Sequence, residues 1–223
     1  GYMPNTGSAD GPNLLGASLT ATLLDITYQP ITTEQQEDIN EAVTIIEDAI
    51  EEIKFEEMPE EILELNPCQT LPTLFDRGMV LYDLSVIMEY LDERFPFPPL
   101  LPVDPIEKAE KRLLLYRFTR AEGCWYELVK TILSGNKKDA GAARKTLNGS
   151  LIELLPLFSH KPYFKSETMT LVDACIAPIL WRLDLLGITL GDKAKPITSY
   201  ANRLFEKEGF SDSLTFAEKD FNQ

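Results

Sequence analysis

Five prolines fall within the ten residues that run from Pro96 to Pro105. Proline fixes the backbone φ angle and carries no amide hydrogen, so such a run cannot lie inside a helix or a central strand. It predicts a stiff, extended connection between two separately folded parts. We therefore divide the chain into an N-terminal domain over 1–95, a linker over 96–105 and a C-terminal domain over 106–223.

The residues before the linker predict a β-hairpin. Leu71–Phe75 and Met79–Tyr82 are short and rich in strand-forming residues, and the turn between them contains Gly78, which tolerates a positive φ angle. A proline opens a strand only at an edge or in a special turn. Leu71-Pro72 is therefore a candidate cis peptide bond.

A helix follows this hairpin. Asp83 is placed to cap a helix over 84–94, in which apolar residues recur at helical spacing. The first 59 residues are less regular. A polar, glycine-rich start over 1–18 predicts a flexible end, and an acidic amphipathic helix is predicted over about 34–53. The N-terminal domain is thus predicted to contain a βα segment and then a ββα segment.

The sequence after the linker predicts only helices. Asp104 and Pro105 form a strong helix start, because aspartate caps a helix and proline is tolerated in its first turn. This helix is predicted to run to about Leu133, with a bend at Gly123. A second helix is predicted over about 139–158 from its apolar spacing.

A capping box marks the start of the most apolar helix. Thr170 and Asp173 have the spacing for reciprocal side-chain capping, and the helix that follows is predicted to be buried on most sides and to end at Gly187. A further helix over about 194–208 is predicted to end at Gly209, and a short last helix follows. The whole pattern predicts an α/β domain followed by an all-helical domain.

Composition narrows the available chemistry. The formal net charge is −15, from 21 Lys and Arg against 36 Asp and Glu, which argues against direct contact with nucleic acid or an anionic membrane and permits a basic protein partner. No apolar run approaches the roughly 18 residues of a membrane helix. Three widely spaced cysteines and one histidine predict free thiols in a reducing cytoplasm, with no metal site.

Several of these features together resemble a known fold. The order of elements, with Leu71-Pro72 before the hairpin, Asp83 at a helix start, and Thr170 and Asp173 opening a buried helix, is similar to that of the glutathione transferases. The resemblance implies a thioredoxin-like N-terminal domain followed by an all-helical C-terminal domain.

Within that fold, the sequence resembles the stringent starvation protein A family. The segments that carry this resemblance are Met88–Pro105, Tyr163-Phe164, Leu171–Leu183 and Ser213–Glu218. They follow the order and spacing of the family over about residues 60–218, whereas the first 59 residues match poorly. The resemblance implies a bacterial, cytoplasmic transcription regulator that supports stress survival and keeps the transferase fold without transferase activity.

The same resemblance implies the partners. A member of this family binds RNA polymerase holoenzyme, through a sigma factor or a core subunit, forms a homodimer and needs no cofactor. The family's partner surface is centred on a Pro-His-Pro motif in the linker, which here is Pro96, Phe97 and Pro98, and we expect Pro99 and Leu100 to belong to it. Phe97 replaces the histidine of the motif, so the expected contact is hydrophobic and has no imidazole hydrogen bond or charge.

The resemblance also points to a former ligand site. In active transferases a cis-proline loop and an acidic residue followed by serine hold glutathione. Leu71, Pro72 and Asp83 match those positions, but Leu84 stands where the serine is expected. Ser85 comes one residue late, which is about 100° around a helix. Leu71, Pro72, Asp83 and Ser85 are therefore expected to form a vestigial thiol-binding site without catalysis.

Two alternative functions stay open on the sequence alone. One is a working glutathione-dependent transferase, and the other is a structural dimer whose partner is not polymerase. Retention on immobilised glutathione, with turnover of an electrophile, distinguishes the transferase from a regulator. Co-purification with RNA polymerase distinguishes the regulator from a structural dimer with another partner. Thr170 and Asp173 have a structural capping role in each of these functions.

Overall fold

The computed structural model describes residues 60–219 except Gln69, Phe97 and Thr215. The predictions for the first 59 residues and for the placement of Phe97 therefore lie outside the described residues. Within them, a small hairpin and two helices precede the linker, and only helices follow it.

Ten α-helices, two β-strands and one 3-10 helix make up the described residues. Before the linker come α1 Glu60–Leu65, β1 Leu74–Asp76, β2 Met79–Leu81 and α2 Leu84–Arg94. After it come α3 Pro105–Thr119, α4 Trp125–Ser134, α5 Lys137–Glu153, α6 Leu155–Ser159, α7 Leu171–Trp181, the 3-10 helix Asp192–Ala194, α8 Lys195–Phe205, α9 Glu208–Asp212 and α10 Phe216–Lys219.

The two strands form the predicted hairpin. β1 and β2 pair antiparallel, and Asp76 lies opposite Met79 at the turn. The turn residues Arg77 and Gly78 have φ angles of 50° and 79°. Two consecutive positive φ angles define the two-residue turn whose twist matches that of paired strands. The hairpin is thus set by local backbone geometry as well as by its apolar pattern.

The segment before β1 is a loop, and the strand starts later than predicted. The Leu71–Pro72 bond is cis, as predicted. The buried side chain of Asn66 donates to the carbonyl of Thr70 at 2.6 Å and to the hydroxyl of Thr73 at 3.0 Å. Because proline has no amide hydrogen to pair across a sheet, this stretch is held by a side chain instead of by a strand ladder.

Helix α2 has the predicted bounds and joins the two parts of the molecule. Asp83 caps it by accepting the amide of Val86 at 3.1 Å. Ile87 and Leu91 pack with hairpin residues in a small apolar cluster, whereas Met88 belongs to the main core among the C-terminal helices. Neighbouring positions of one helix therefore bury residues in both clusters.

The long helix predicted over 105–133 is two helices. Asp104 caps α3 as predicted and accepts two first-turn amides at 3.0 Å each. Gly123 then has a φ angle of 68°, a left-handed conformation that an α-helix does not contain. Cys124 starts α4, with its sulfur accepting the amide of Glu127 at 3.4 Å. The helical path is thus interrupted between Thr119 and Trp125, with Gly123 in the connecting turn, where the sequence predicted a bend.

Other predicted helix ends also differ. The helix predicted over 139–158 begins earlier, behind the cap Asn136, and breaks before Pro156, whose nitrogen cannot continue the hydrogen-bond ladder. Helix α7 stops short of Gly187, which has a φ angle of 67° and follows a series of turns. Gly209, predicted as a helix end, lies inside the short α9.

Helix α7 is the centre of the main core. The predicted capping box of Thr170 and Asp173 is present, and Leu171–Leu180 are all buried. Pro178 lies inside α7 without ending it. An interior proline disfavours a helix by about 3 kcal/mol, so tertiary packing around α7 holds the helical path.

Candidate functional site

The linker is anchored by one buried carboxylate. Asp92 lies in the last turn of α2 and is only 5% exposed. One of its oxygens accepts the amide of Leu100 at 2.5 Å, and the other accepts the amide of Leu101 at 3.1 Å. Burial raises the pKa of Asp92, and the two amides act in the opposite direction. A single side chain thus ties the last turn of α2 to the far end of the linker.

The anchored end of the linker belongs to the core. Leu100 and Leu101 are 2% and 3% exposed, and the carbonyl of Leu100 accepts the amide of Leu171 at 3.2 Å. The sequence places Leu100 on the partner surface, but its side chain fills the main core and cannot touch a partner in this conformation. Its burial follows from the anchoring of its backbone on both sides.

The described prolines between Phe95 and Leu100 lie at or near the surface. The amide of Phe95 donates to a carbonyl of the last turn of α2 at 2.9 Å and closes that helix. Pro96 and Pro99 are exposed, and Pro98 is half-buried. Both ends of the segment are bonded to the body of the protein, and we call the three prolines held between these attachments the apolar projection.

Apolar and acidic residues flank this projection in the chain. Val103 is 85% exposed. The acidic residues Glu93, Asp104 and Glu107 are exposed as well. An exposed apolar patch with acidic neighbours suits a protein surface that is apolar at its centre and basic at its edge.

The vestigial thiol site retains its backbone but not its free carboxylate. Asp83 caps α2 and also forms an ion pair with Arg120, which follows α3. The acidic group that would hold the amino-acid end of glutathione is therefore already occupied. Leu84, at the position expected for serine, is half-buried and packs against the main core.

Ser85 does not replace the missing serine. Its hydroxyl lies 3.3 Å from the hydroxyl of Thr119, which itself donates to the carbonyl of Leu115 at 2.8 Å. Ser85 is therefore the donor of the pair and is directed at α3. Asp83 and Ser85 lie at the start of α2, whereas Leu71 and Pro72 lie in the loop before β1, and the Ser85 hydroxyl serves the contact between α2 and α3.

A row of polar contacts joins α2 and α3, and sequence reasoning missed it. Glu89 binds Arg112 through three hydrogen bonds of 2.5 to 3.1 Å. Together with the ion pair of Asp83 and Arg120, it fixes the two helices side by side. Charged residues on exposed helix faces are usually solvated, so nothing in the sequence singles out these pairs.

Asp173 has more than a capping role. One carboxylate oxygen accepts the amide of Phe164 and the hydroxyl of Tyr200, each at 2.7 Å, and the other accepts the amide and hydroxyl of Thr170 at 2.8 Å. Lys111 donates to the carbonyls of Phe164 and its neighbour at 3.2 Å. This buried network holds the loop before α7 against α3 and α8.

A separate cavity of about 330 Å³ lies where α3 breaks from α4. Its floor includes Phe118, Trp125 and Phe164. Within the described part of the chain, no group of three or more His, Cys, Asp or Glu is arranged to hold a metal ion, and no helix is long and apolar enough to cross a membrane. The three cysteines are free thiols.

Comparison with known proteins defines the class. Residues 43–94 match the family model "Glutathione S-transferase, N-terminal domain", and residues 107–208 match "Glutathione S-transferase, C-terminal domain". A sphingomonad glutathione S-transferase solved with glutathione superposes with a TM-score of 0.70 at 14% identity, covering 93% of this chain and 96% of that one. The chain has the glutathione transferase fold, with a thioredoxin-like domain followed by a helical domain.

Curated relatives narrow the class to one family. A stringent starvation protein A homolog from Coxiella burnetii is 47% identical over 165 residues, covering 74% of this chain and 78% of the relative. The homolog from Histophilus somni is 42% identical over 167 residues, covering 74% and 77%. This chain belongs to the stringent starvation protein A family, as its linker and capping motifs predict.

Proposed function

We propose that this protein is a non-catalytic cytoplasmic regulator that binds RNA polymerase holoenzyme, through a sigma factor or a core subunit. The contact is the linker surface around Pro96, Phe97, Pro98 and Pro99. The observation that carries the proposal is the buried Asp92 anchor, which holds an otherwise exposed proline segment in one place.

Rigidity supports a binding role for this segment. Ordering a flexible loop on binding costs free energy, and a segment that is already fixed avoids that cost. An apolar centre with acidic neighbours, in a chain of net charge −15, favours approach to a basic protein surface. Family membership supports this proposal, because the linker lies within Met88–Pro105, one of the segments that resemble the family.

The vestigial site supports the absence of transferase activity. The carboxylate of Asp83 is shared between a helix cap and Arg120, and the serine position holds Leu84. Glutathione would have to displace the ion pair without gaining the hydroxyl contact. The cis bond at Pro72 alone does not activate a thiol.

A homodimer is the second part of the proposal. Ile106, Leu113 and Tyr116 recur on one side of α3 and are 73%, 60% and 52% exposed. Such a stripe of large apolar side chains fits the self-complementary interface of a two-fold dimer. Sedimentation velocity of wild type and Leu113→Glu tests it. We expect a dimer for wild type and a monomer for the variant, and a wild-type monomer overturns this part.

The decisive experiment is a pulldown of purified RNA polymerase holoenzyme. We expect Phe97→Ala with Pro98→Ala to weaken binding by at least about tenfold, the scale of a binding hot spot. Leu185→Ala is the matched control, because Leu185 is 48% exposed and follows the opposite end of α7 from the linker. Equal binding by wild type, the double variant and the control would show that the linker is not the contact. Retention on immobilised glutathione with turnover of an electrophile would overturn the proposal of a non-catalytic regulator.

A further inference from the structure

We propose that Asp92 is the positioning residue of the linker surface. Its carboxylate fixes the backbone where the linker enters the core, and this sets the direction in which the segment from Pro96 to Pro99 projects. The inference rests on the proposed function and assigns the means by which the contact segment is held in its binding conformation.

The linker has few backbone donors. Among its described residues before Val103, prolines occupy four positions, so the amides present are those of Leu100 and Leu101. Both amides donate to Asp92, at 2.5 and 3.1 Å. Within that described segment, every hydrogen bond that the backbone can donate therefore ends on one carboxylate.

The anchor closes a loop on its own helix. Asp92 lies eight residues before Leu100 and in the last turn of α2, the same turn to which Phe95 is bonded. The exposed prolines thus lie between two attachments to one rigid element. Packing of the Leu100 side chain fixes how far this end of the linker is inserted into the core. The two hydrogen bonds from the amides to Asp92 fix the orientation of the peptide planes.

Loss of the carboxylate removes this orientation without emptying the core. The carbonyl of Leu100 keeps its bond from Leu171, and the leucine side chains keep their apolar contacts. The linker amides then have only water as a partner, and the prolines sample several directions. Apparent affinity falls in proportion to the fraction of molecules that remain competent to bind.

The test compares Asp92→Ala, Asp92→Asn and Val129→Ala in the full chain. Val129 is completely buried in α4, outside the linker and outside α2, and serves as a destabilising control. Two quantities are measured, namely the Kd for polymerase holoenzyme and the hydrogen exchange of the Leu100 and Leu101 amides. We expect about a tenfold higher Kd for Asp92→Ala, as for a binding-competent fraction of about one-tenth.

The conservative variant separates positioning from general stability. Asp92→Asn keeps one acceptor oxygen, so we expect it to protect one amide and to restore part of the affinity. Val129→Ala is expected to lower the melting temperature and leave both the Kd and the two amides unchanged. If Asp92→Ala does not fold, Asp92→Asn carries the comparison with Val129→Ala.

The outcomes distinguish this inference from the function on which it rests. Fast exchange at both amides with an unchanged Kd for the Asp92 variants overturns the positioning role. If the Phe97→Ala, Pro98→Ala variant also binds normally, the linker contact itself fails. A rise in Kd for Val129→Ala that matches its loss of stability makes Asp92 a structural residue only.

Discussion

The guanidinium of Arg182 and the carboxylate of Glu218 form an ion pair that is almost completely shielded from solvent. Arg182 also donates to the carbonyl of Pro178 at 2.9 Å, and the indole of Trp181 donates to the carbonyl of Glu218 at 3.2 Å. Burial lowers the pKa of Arg182 to about 10, so it stays charged at neutral pH. The last helix is thereby fastened to the end of α7.

Removing one partner of this pair should strongly destabilise the fold. We expect Glu218→Ala to lower the free energy of unfolding by about 3–5 kcal/mol, because it leaves a buried charge without compensation. Urea denaturation measures the effect. The double variant Arg182→Met, Glu218→Leu removes both charges and should lose less than Glu218→Ala. If the double variant loses as much free energy of unfolding as Glu218→Ala or more, the uncompensated charge is not the cause of the destabilisation.

Gly123 should resist substitution for conformational reasons alone. A Cβ atom there meets nothing within 4 Å, but the φ angle of 68° is strained for alanine. We expect Gly123→Ala to lower the free energy of unfolding by about 1–2 kcal/mol. Gly141→Ala is the matched control, since Gly141 has the same open space inside α5 and alanine favours a helix by about 0.5–1 kcal/mol. In thermal melts we expect Gly123→Ala to lower the melting temperature and Gly141→Ala to raise it.

The vestigial site can be tested by restoring it. Leu84→Ser supplies the missing hydroxyl, and Arg120→Ala frees the carboxylate of Asp83. The ion pair is about 40% exposed on each side, so its loss should change stability by only about 0–1 kcal/mol. We expect measurable glutathione binding by calorimetry only in the double variant. Binding by wild type shows that the pair does not block the site.

Asp173 should give the core a pH dependence. Burial raises the pKa of Asp173 above its usual 3.8, although its hydrogen bonds act in the opposite direction. The folded state then holds more protons than the unfolded state between 3.8 and the raised value, so stability falls as pH rises through that window. Asp173→Asn has no such titration.

Denaturation across a pH series measures this dependence. The free energy of unfolding of wild type, relative to Asp173→Asn, should decrease as pH rises from 3.8. Tyr200→Phe removes a hydrogen bond that lowers the pKa of Asp173, and it should extend the window to higher pH. A difference that increases with pH contradicts a raised pKa.

Local signals in the sequence predicted much of this fold. The bounds of α2 follow from Asp83 at its start and the prolines after its end, and the capping box of Thr170 and Asp173 follows from spacing. The break at Gly123 was predicted only as a bend, because glycine occurs both in bent helices and in left-handed turns. Short-range chemistry could not choose between these conformations.

The contacts that form the candidate sites were much less predictable. Asp92 occupies a position in α2 that looks like part of a solvated acidic helix end, yet it is buried by the chain that returns over it. Arg120 pairs with Asp83 across 37 residues of sequence, and Arg182 pairs with Glu218 across 36. Such partners meet only once the helices have packed, and they leave no periodic pattern.

The shortage of amides in the linker has a consequence for whatever molecule binds there. Pro96, Pro98 and Pro99 have carbonyl oxygens but no amide hydrogens, while the described amides of Leu100 and Leu101 donate to Asp92. The described backbone of the projection is thus a surface of acceptors. A partner that makes polar contacts with it must supply the hydrogens, from arginine, lysine or amide side chains or from an unpaired strand edge.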